Sequence, residues 1–278
     1  MKRPRRRRWR ALFGAAAALF VWAAVLEPRH LVVRERELSL PGWPSALDGL
    51  RVGLVGDLHV GAPPMDRART RKVIDRLAAQ EADLLVFLGD LVDTKSLFRS
   101  TPNLNALSED LANLRAPLGT FAVLGNHDHW FGARRVRDTL ERAGIPALVN
   151  ETRRLPAAVP LDLVGVDDAY TGHDDLLRAL RGSEGPRIVV THTADLFVDV
   201  PSEVSLTLAA HTHGGQVRLP LVGPLFVPSR FGTRWVRGHY VEEGRHLWVT
   251  SGVGNSMIPV RIGVPPELVV LTLRTPAH

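Results

Sequence analysis

A chain of 278 residues that is 45% hydrophobic and free of cysteine can fill a full core but excludes disulfides and thiolate metal sites. Its pI near 10.6 suggests an anionic partner until the charge is located. Seven of the 35 basic residues (Lys2, Arg3, Arg5, Arg6, Arg7, Arg8 and Arg10) fall within residues 1–10, and the other 28 stand against 29 acids, so the body is near neutral and nucleic acid is disfavoured as a partner.

The basic block leads into Ala11–Leu26, sixteen residues without a charge, closed by Glu27-Pro28-Arg29. As a helix it spans roughly 24 Å at ~1.5 Å per residue, a little short of the ~30 Å hydrocarbon core. An uncleaved membrane anchor over residues 1–30 is the preferred reading, because Val21-Trp-Ala-Ala-Val-Leu26 offers no small-x-small cleavage site at its boundary. A cleavable signal is the alternative, and Arg7-Arg8 matches a twin-arginine signal loosely. A buried N-terminal helix would leave the flanking cations unexplained. By the positive-inside rule the domain, residues 31–278, lies outside the cytoplasm, with the cytoplasmic face as the alternative.

Leu31–Leu40 reads as an edge strand, broken by Pro41-Gly42 and Pro44. Arg51–Gly56 is the first core strand, followed by Asp57-Leu58-His59. Met65–Gln80 has Val73, Ile74 and Leu77 at helical spacing. Strand Leu84–Leu88 leads to Gly89-Asp90-Leu91-Val92-Asp93, with a helix within Asn103–Arg115. Strand Phe121–Leu124 leads to Gly125-Asn126-His127-Asp128, with a helix within Ala133–Ala143 closed by Gly144. Strand Leu161–Val166, a helix near Asp174–Leu180 and strand Ile188–Val190 come before His192. Short β-rich runs follow at Ser205–Ala210, Gln216–Leu219, His239–Glu242, Leu247–Thr250 and Leu268–Leu273, with His211-Thr212-His213-Gly214-Gly215 after the first. A mostly parallel first half and a more antiparallel second half predict two sheets flanked by helices.

Each of the five islands carries oxygen or imidazole donors, and four of them follow a strand, so the donors can converge on one sheet edge. A lone Asp-x-His would be a turn or a core histidine. Five in register point to a two-metal centre, in which each cation needs about four ligands and the pair shares an anion. The His211–His213 pair reads as strand, where i and i+2 point the same way. Oxygen and nitrogen donors together suit Mn, Fe or Zn, with Mg possible, over Ca.

In this order the islands resemble the signature of the calcineurin-like metallophosphoesterase superfamily: D-x-H, G-D-x-x-D, G-N-H-D/E, H and G-H-x-H. Ala210 stands where that family usually has glycine. His211–Gln216, and the ending Ser251–Arg261 through Pro266–Leu273, are similar to the membrane-associated bacterial branch of YkuE/YaeI-type phosphodiesterases, and the likeness covers about residues 31 to 275. It implies an α/β (α+β) fold, a four-layer αββα sandwich of two packed mixed sheets, here preceded by an N-terminal hydrophobic helix. It assigns Asp57, His59, Asp90 and His213 to a first metal and Asp90, Asn126, His192 and His211 to a second, with Asp90 bridging. Asn126 and His127 would contact substrate. His127 would be the catalytic donor to a phosphoryl oxygen or to the leaving group, with Asp93 as its orienting partner; a capping role is the alternative for Asp93. Asp128 is expected to tie its loop. His129 either touches substrate or is an exposed loop residue. His30, His173, His239, His246 and His278 lie outside every motif.

The function implied is a membrane-anchored, metal-dependent phosphoesterase, preferably a phosphodiesterase, acting through metal-bound hydroxide on a substrate of lipid or cell-envelope origin. A sharper alternative is pyrophosphate hydrolysis in UDP-2,3-diacylglucosamine, a lipid A intermediate whose cytosolic location conflicts with the predicted topology. A non-catalytic partner-binding scaffold of the same fold is the alternative of another class, and its mark, loss of ligands, is missing. A nuclease is disfavoured by the near-neutral body. Finally, Leu219–Val227 with Arg230, Arg234, Trp235 and Arg237 reads either as a core-covering loop or as a membrane interface.

Overall fold

The computed structural model describes residues 3–276. Helix α1 (Arg3–Val21) passes into a wide turn at Trp22–Leu26 and a tighter one at Glu27–Arg29. Over Trp9–Arg29 it is long and apolar enough to cross a membrane, and 17% of that stretch is buried. Leu12, Phe13, Leu19 and Phe20 are all exposed, so no single stripe of this helix packs on the domain.

The first half alternates strand and helix: β1 (Val32–Ser39), β2 (Leu50–Val55), α2 (Arg67–Ala78), β3 (Leu84–Leu88), α3 (Leu104–Leu111), β4 (Thr120–Val123) and α4 (Asn126–Arg142). Local chemistry starts the helices, with Asp66 and Asn103 accepting from the N–H groups of Arg69 and Ala106 as N-caps. The second half holds β5 (Glu151–Leu155), β6 (Leu161–Gly165), the single turn α5 (Leu176–Ala179), β7 (Arg187–Thr193), β8 (Leu206–Ala210), the short ribbon β9 (Arg218–Leu219) with β10 (Gly223–Pro224), then β11 (Gly238–Glu242), β12 (Arg245–Val249) and β13 (Glu267–Arg274).

One sheet has the order β1-β13-β2-β3-β4 and the other β11-β12-β8-β7-β6-β5. Both are mixed, since β2, β3 and β4 run parallel while β13 is antiparallel to β2, and β6, β7, β8 and β12 run parallel between antiparallel edges. Leu54, Val86 and Leu88 of the first sheet meet Leu163, Val190 and Leu208 of the second in one core between the sheets. Outside the first sheet, Val73, Ile74, Leu111 and Leu140 cover Leu85 and Phe87. Outside the second, Leu176, Ala179, Leu196 and Phe197 cover Val164, Val189 and Val249. These are the four layers of an αββα sandwich, the arrangement that the family resemblance implies.

Three local readings need correction. α4 begins at Asn126 rather than within Ala133–Ala143, because Gly132 (φ 121°) breaks the helix and splits its apolar periodicity. β5, with the charged sequence Glu-Thr-Arg-Arg-Leu, is an edge strand that no apolar run announces. The Leu219–Trp235 segment divides: Leu221, Val222, Leu225 and Phe226 are exposed, whereas Trp235 is buried against Phe197 and Phe231.

Candidate metal centre

Every island sits at the C-terminal end of a parallel strand: Asp57 after β2, Asp90 after β3, Asn126 after β4, His192 as the penultimate residue of β7 and His211 after β8. That is the edge at which open α/β sheets bind ligands. Asp57, His59, Asp90, Asn126, His127, His192, His211 and His213 are all buried. His192 lies inside its strand rather than beyond it, at a bulge between Val190 and Thr193 that re-aims the side chain.

Backbone conformation is the feature the sequence concealed. Asp57 (φ 51°), His59 (47°), Asp90 (53°), His211 (70°) and His213 (51°) all take the left-handed conformation, so five of the seven expected ligands stand in a region that non-glycine residues seldom enter. His211 and His213 therefore do not share a strand face; each turns inward from a left-handed residue past the end of β8. Close approach is bought with glycines. A Cβ on Gly125 would run into Asp90 Oδ1, and one on Gly56 would meet the Ala210 Cβ at 2.6 Å. The bare Gly56 thus makes room for the alanine at position 210.

Three donor groups form: Asp57, His59 and His213; His59, Asp90 and His127; and Asp90, His192 and His211, the ligand atoms of each lying within 4.8 Å of one another. Asp90 Oδ2 is 3.5 Å from His59 Nε2 and 3.3 Å from His192 Nε2. Asn126 Oδ1 and His211 Nδ1 each stand 3.1 Å from His192 Nε2. His192 Nδ1 donates to the Leu88 carbonyl at 2.7 Å, which turns its Nε2 toward the centre. His59 Nε2 and His213 Nε2 point at each other across 3.1 Å.

The electrostatics call for positive charge. Asp57, Asp90, Asp93 and Asp128 are desolvated together, and Asp57 Oδ2 and His211 Nε2 have no hydrogen-bond partner. Burial and the Asp90 charge raise Asp57 to about 6, against the pull of His192. Burial works against charge on His192, yet Asp90 and Asp57 raise it to about 10. Burial first, and then neighbouring imidazoles, lower His127 and His211 to about 4 each. Convergent N and O donors around unpaired buried carboxylate oxygen fit divalent cations.

Other groups hold these in place. Asp128 accepts from the N–H groups of Leu91, Val92 and Gly125, tying the islands at Asp90 and Asn126 together. Asp93 accepts from the Ser96 N–H at 2.9 Å and its hydroxyl at 2.8 Å, the capping geometry. The expected hydrogen bond from His127 to Asp93 is not made: Oδ1 is 3.5 Å from His127 Nδ1 and 3.4 Å from His59 Nδ1. His127 Nδ1 instead accepts from the Thr94 N–H at 3.1 Å, which leaves the neutral ring with its proton on Nε2. His129 is part of α4, pairs with Asp167 at 2.9 Å and stacks on His173, so it is not an exposed loop residue. His246 is buried and pairs with His239 at 3.1 Å.

Sequence motifs passed over Arg261, Trp130 and Tyr170. Buried Arg261 donates to the carbonyls of Ser251, Gly252, Gly254 and Val264 and to Asn255 Oδ1, and lies 3.5 Å from His213 Nδ1. Burial lowers it to about 10, still charged at neutral pH. Its only sequence signal is that it is the lone charge in residues 251–266. Trp130 and Tyr170, both exposed, set their rings 5.1 Å from His127 and 4.8 Å from His211.

A family model described as "Calcineurin-like phosphoesterase" matches residues 50–215, which spans every island. The chain belongs to this family: it is a metallophosphoesterase, a hydrolase of phosphoric ester bonds whose family uses divalent metals. Among its relatives it is similar to the uncharacterized metallophosphoesterase YkuE of Bacillus subtilis, at 28% identity over 99% of both chains. It is 36% identical to the phosphodiesterase YaeI of Escherichia coli over 70% of this chain and 71% of that protein. It is also 30% identical to a Danio rerio transmembrane protein with metallophosphoesterase domain, over 93% of this chain and 61% of that protein.

Proposed function

We propose that this chain is a membrane-anchored phosphodiesterase working with two divalent cations, of which Mn, Fe and Zn best suit the mixed donors and Mg is compatible. The observation that carries the reading is Asp90: its Oδ2 stands between His59 of one donor group and His192 of the other, at 3.5 and 3.3 Å. Asp57, His59, Asp90 and His213 would hold one cation, and Asp90, Asn126, His192 and His211 the second. Bound there, the pair supplies charge to activate water and to neutralise the phosphoryl oxygens.

The chain's own residues supply orientation. His127, neutral and with its proton on Nε2, donates that hydrogen to a phosphoryl oxygen. Asp93 is a positioning residue: it builds the turn that carries Thr94, whose N–H fixes the His127 ring. Preference for a diester is supported by likeness to YaeI, named a phosphodiesterase. The anchor, residues 1–30 before a domain from residue 31, is supported by the apolar stretch Trp9–Arg29 and by the relative named a transmembrane protein. A domain facing away from the cytoplasm fits the basic end of that helix, and the substrate we propose for a domain so placed is a phosphodiester of lipid or cell-envelope origin. A scaffold without activity is disfavoured because no donor is missing.

The test is hydrolysis of phosphomonoester, phosphodiester and nucleotide-sugar substrates by the full chain in detergent, with Mn, Mg, Zn or no added metal after chelation. Diesters turned over faster than monoesters, and only with metal, support the reading. A monoesterase preference would refute the diesterase assignment, and a nucleotide-sugar preference would favour the pyrophosphatase alternative.

A further inference from the structure

Three loops leave the metal centre and carry large apolar side chains into the open. Leu97 and Phe98 follow Asp93, Leu221 and Phe226 follow His213, and Met257 and Ile258 belong to the segment that Arg261 clamps; all six are exposed. These are the positions at which a monomeric surface ordinarily avoids large hydrophobic groups.

The loops are joined into one structure. The Leu97 N–H donates to the Met257 carbonyl at 2.7 Å. Gln216 Nε2 donates to the carbonyls of Ser256 and Ile258 at 3.1 and 2.9 Å. Leu225 N–H donates to the Val217 carbonyl at 3.0 Å. The far side of the assembly is the site itself, since Ser96 hydroxyl bonds Asp93 at 2.8 Å and a Cβ on Gly254 would touch His59.

Charge in these loops is of one sign. Residues 94–107, 213–241 and 251–266 contain no Asp or Glu; Lys95, Arg99 and Arg218 are exposed there, whereas Arg230, Arg234 and Arg237 pair with Asp195, Glu242 and Glu267 from outside the loops and Arg261 is buried. Three exposed cations, Lys95, Arg99 and Arg218, thus stand beside the exposed apolar residues with no acid in the same loops. That combination suits anionic headgroups above acyl chains.

The same loops grip the N-terminal helix. The Arg261 N–H donates to the Ala23 carbonyl at 2.9 Å. Buried Glu27 accepts from the Val264 N–H at 2.8 Å and from Trp22 Nε1 at 2.7 Å. The membrane-capable stretch thus ends on the segment that bears Met257 and Ile258, so a bilayer crossed by the helix is brought to this face.

We propose that the loops around residues 97–99, 218–226 and 256–260 form a surface that rests on an anionic lipid bilayer and sets the metal centre at headgroup depth. The proposal builds on the anchor reading above and adds to it that the domain lies down on the membrane rather than hanging free. Headgroup phosphodiesters are the chemical class such a pose delivers.

The chain has no cysteine, so single labels can be placed in the full-length protein. Phe98→Cys, Leu221→Cys and Met257→Cys, with Leu177→Cys on α5 as an exposed control, would carry an environment-sensitive fluorophore in vesicles of phosphatidylglycerol and phosphatidylcholine, with unchanged circular dichroism confirming the fold. Spin-labelled lipid is expected to quench the first three labels several-fold more than the control. A chain that floats with the vesicles while all four labels quench alike would overturn the docked face and leave the anchor standing. A chain that fails to float would overturn both. Three labels shielded from water but not reached by the lipid quencher would mark a second copy on this face and likewise reject the bilayer.

Discussion

The backbone N–H of His127 donates to Asp90 Oδ1 over 2.8 Å. The first turn of α4 therefore holds one oxygen of this carboxylate and leaves Oδ2 for the histidines on either side, with the helix N-terminus adding its own favourable field. One anion is thus shared by both donor groups.

Asp90→Asn removes that shared charge with little change of shape. Turnover should fall by at least the roughly 10–100-fold that loss of an outer partner of a metal ligand costs, while the circular dichroism spectrum stays unchanged. Metal content measured by elemental analysis should fall with it. Full metal content and activity in this variant would contradict the bridging role.

His127→Ala should behave differently, because this ring is assigned to substrate rather than to metal. Retained metal with a kcat loss of roughly 10²–10³-fold is expected, the range for a lost transition-state donor. A Thr94→Pro change removes the N–H that fixes the ring and should lower kcat more than it raises KM. A pure KM effect in both variants would move His127 from chemistry to substrate binding.

Gly56 and Ala210 make a packing pair whose cost can be measured. Gly56→Ala places two methyl groups 2.6 Å apart and should destabilise by about 1–3 kcal/mol. Adding Ala210→Gly should restore part of that loss, read as the coupling energy in a double-mutant cycle of urea unfolding. Strict additivity would show that the two sites do not share the space.

Arg154 and Asp162 provide a pH test away from the site. Burial alone raises Asp162, but the Arg154 guanidinium at 2.9 Å and the Glu184 N–H hold it below the ordinary carboxylate range. A group depressed in the folded state contributes stability above its unfolded pKa of about 3.9 and loses it as pH falls through the folded value. The Tm gap between wild type and Arg154→Ala should thus be present at about pH 6 and close below about pH 4. Because Arg154 is half exposed, the gap should also shrink in high salt. A gap independent of pH would mean that packing, not charge, carries the effect.

Much of this architecture could be read from residues, because the chemistry concentrates in short runs that directly follow apolar strands: Val52–Val55 before Asp57, and Leu84–Leu88 before Asp90. The stacking of the two sheets was not legible from periodicity, since an inward-facing Leu54 and an outward-facing Leu85 look alike in sequence. The start of α4 was hidden by its polar first turn, Asn126-His127-Asp128, and by the break at Gly132. Left-handed backbone at His211 and His213 leaves no compositional trace, so an i, i+2 pair looked like strand. Asp93 was read through its motif, whereas in space Thr94 reaches His127 first. Arg261 escaped notice because a single arginine in an apolar loop usually faces solvent, and here four carbonyls and Asn255 take it inside.

In the proposed site two cations act together at Asp90. The most direct measurement is titration of the chelated full chain with Mn(II), following bound metal by elemental analysis and phosphodiester hydrolysis in the same samples. Little activity is expected at one metal per chain, with a rise to full rate as the second binds and a ceiling of two. Full rate in chelated protein, or saturation of activity with a single cation bound, would contradict the two-cation site.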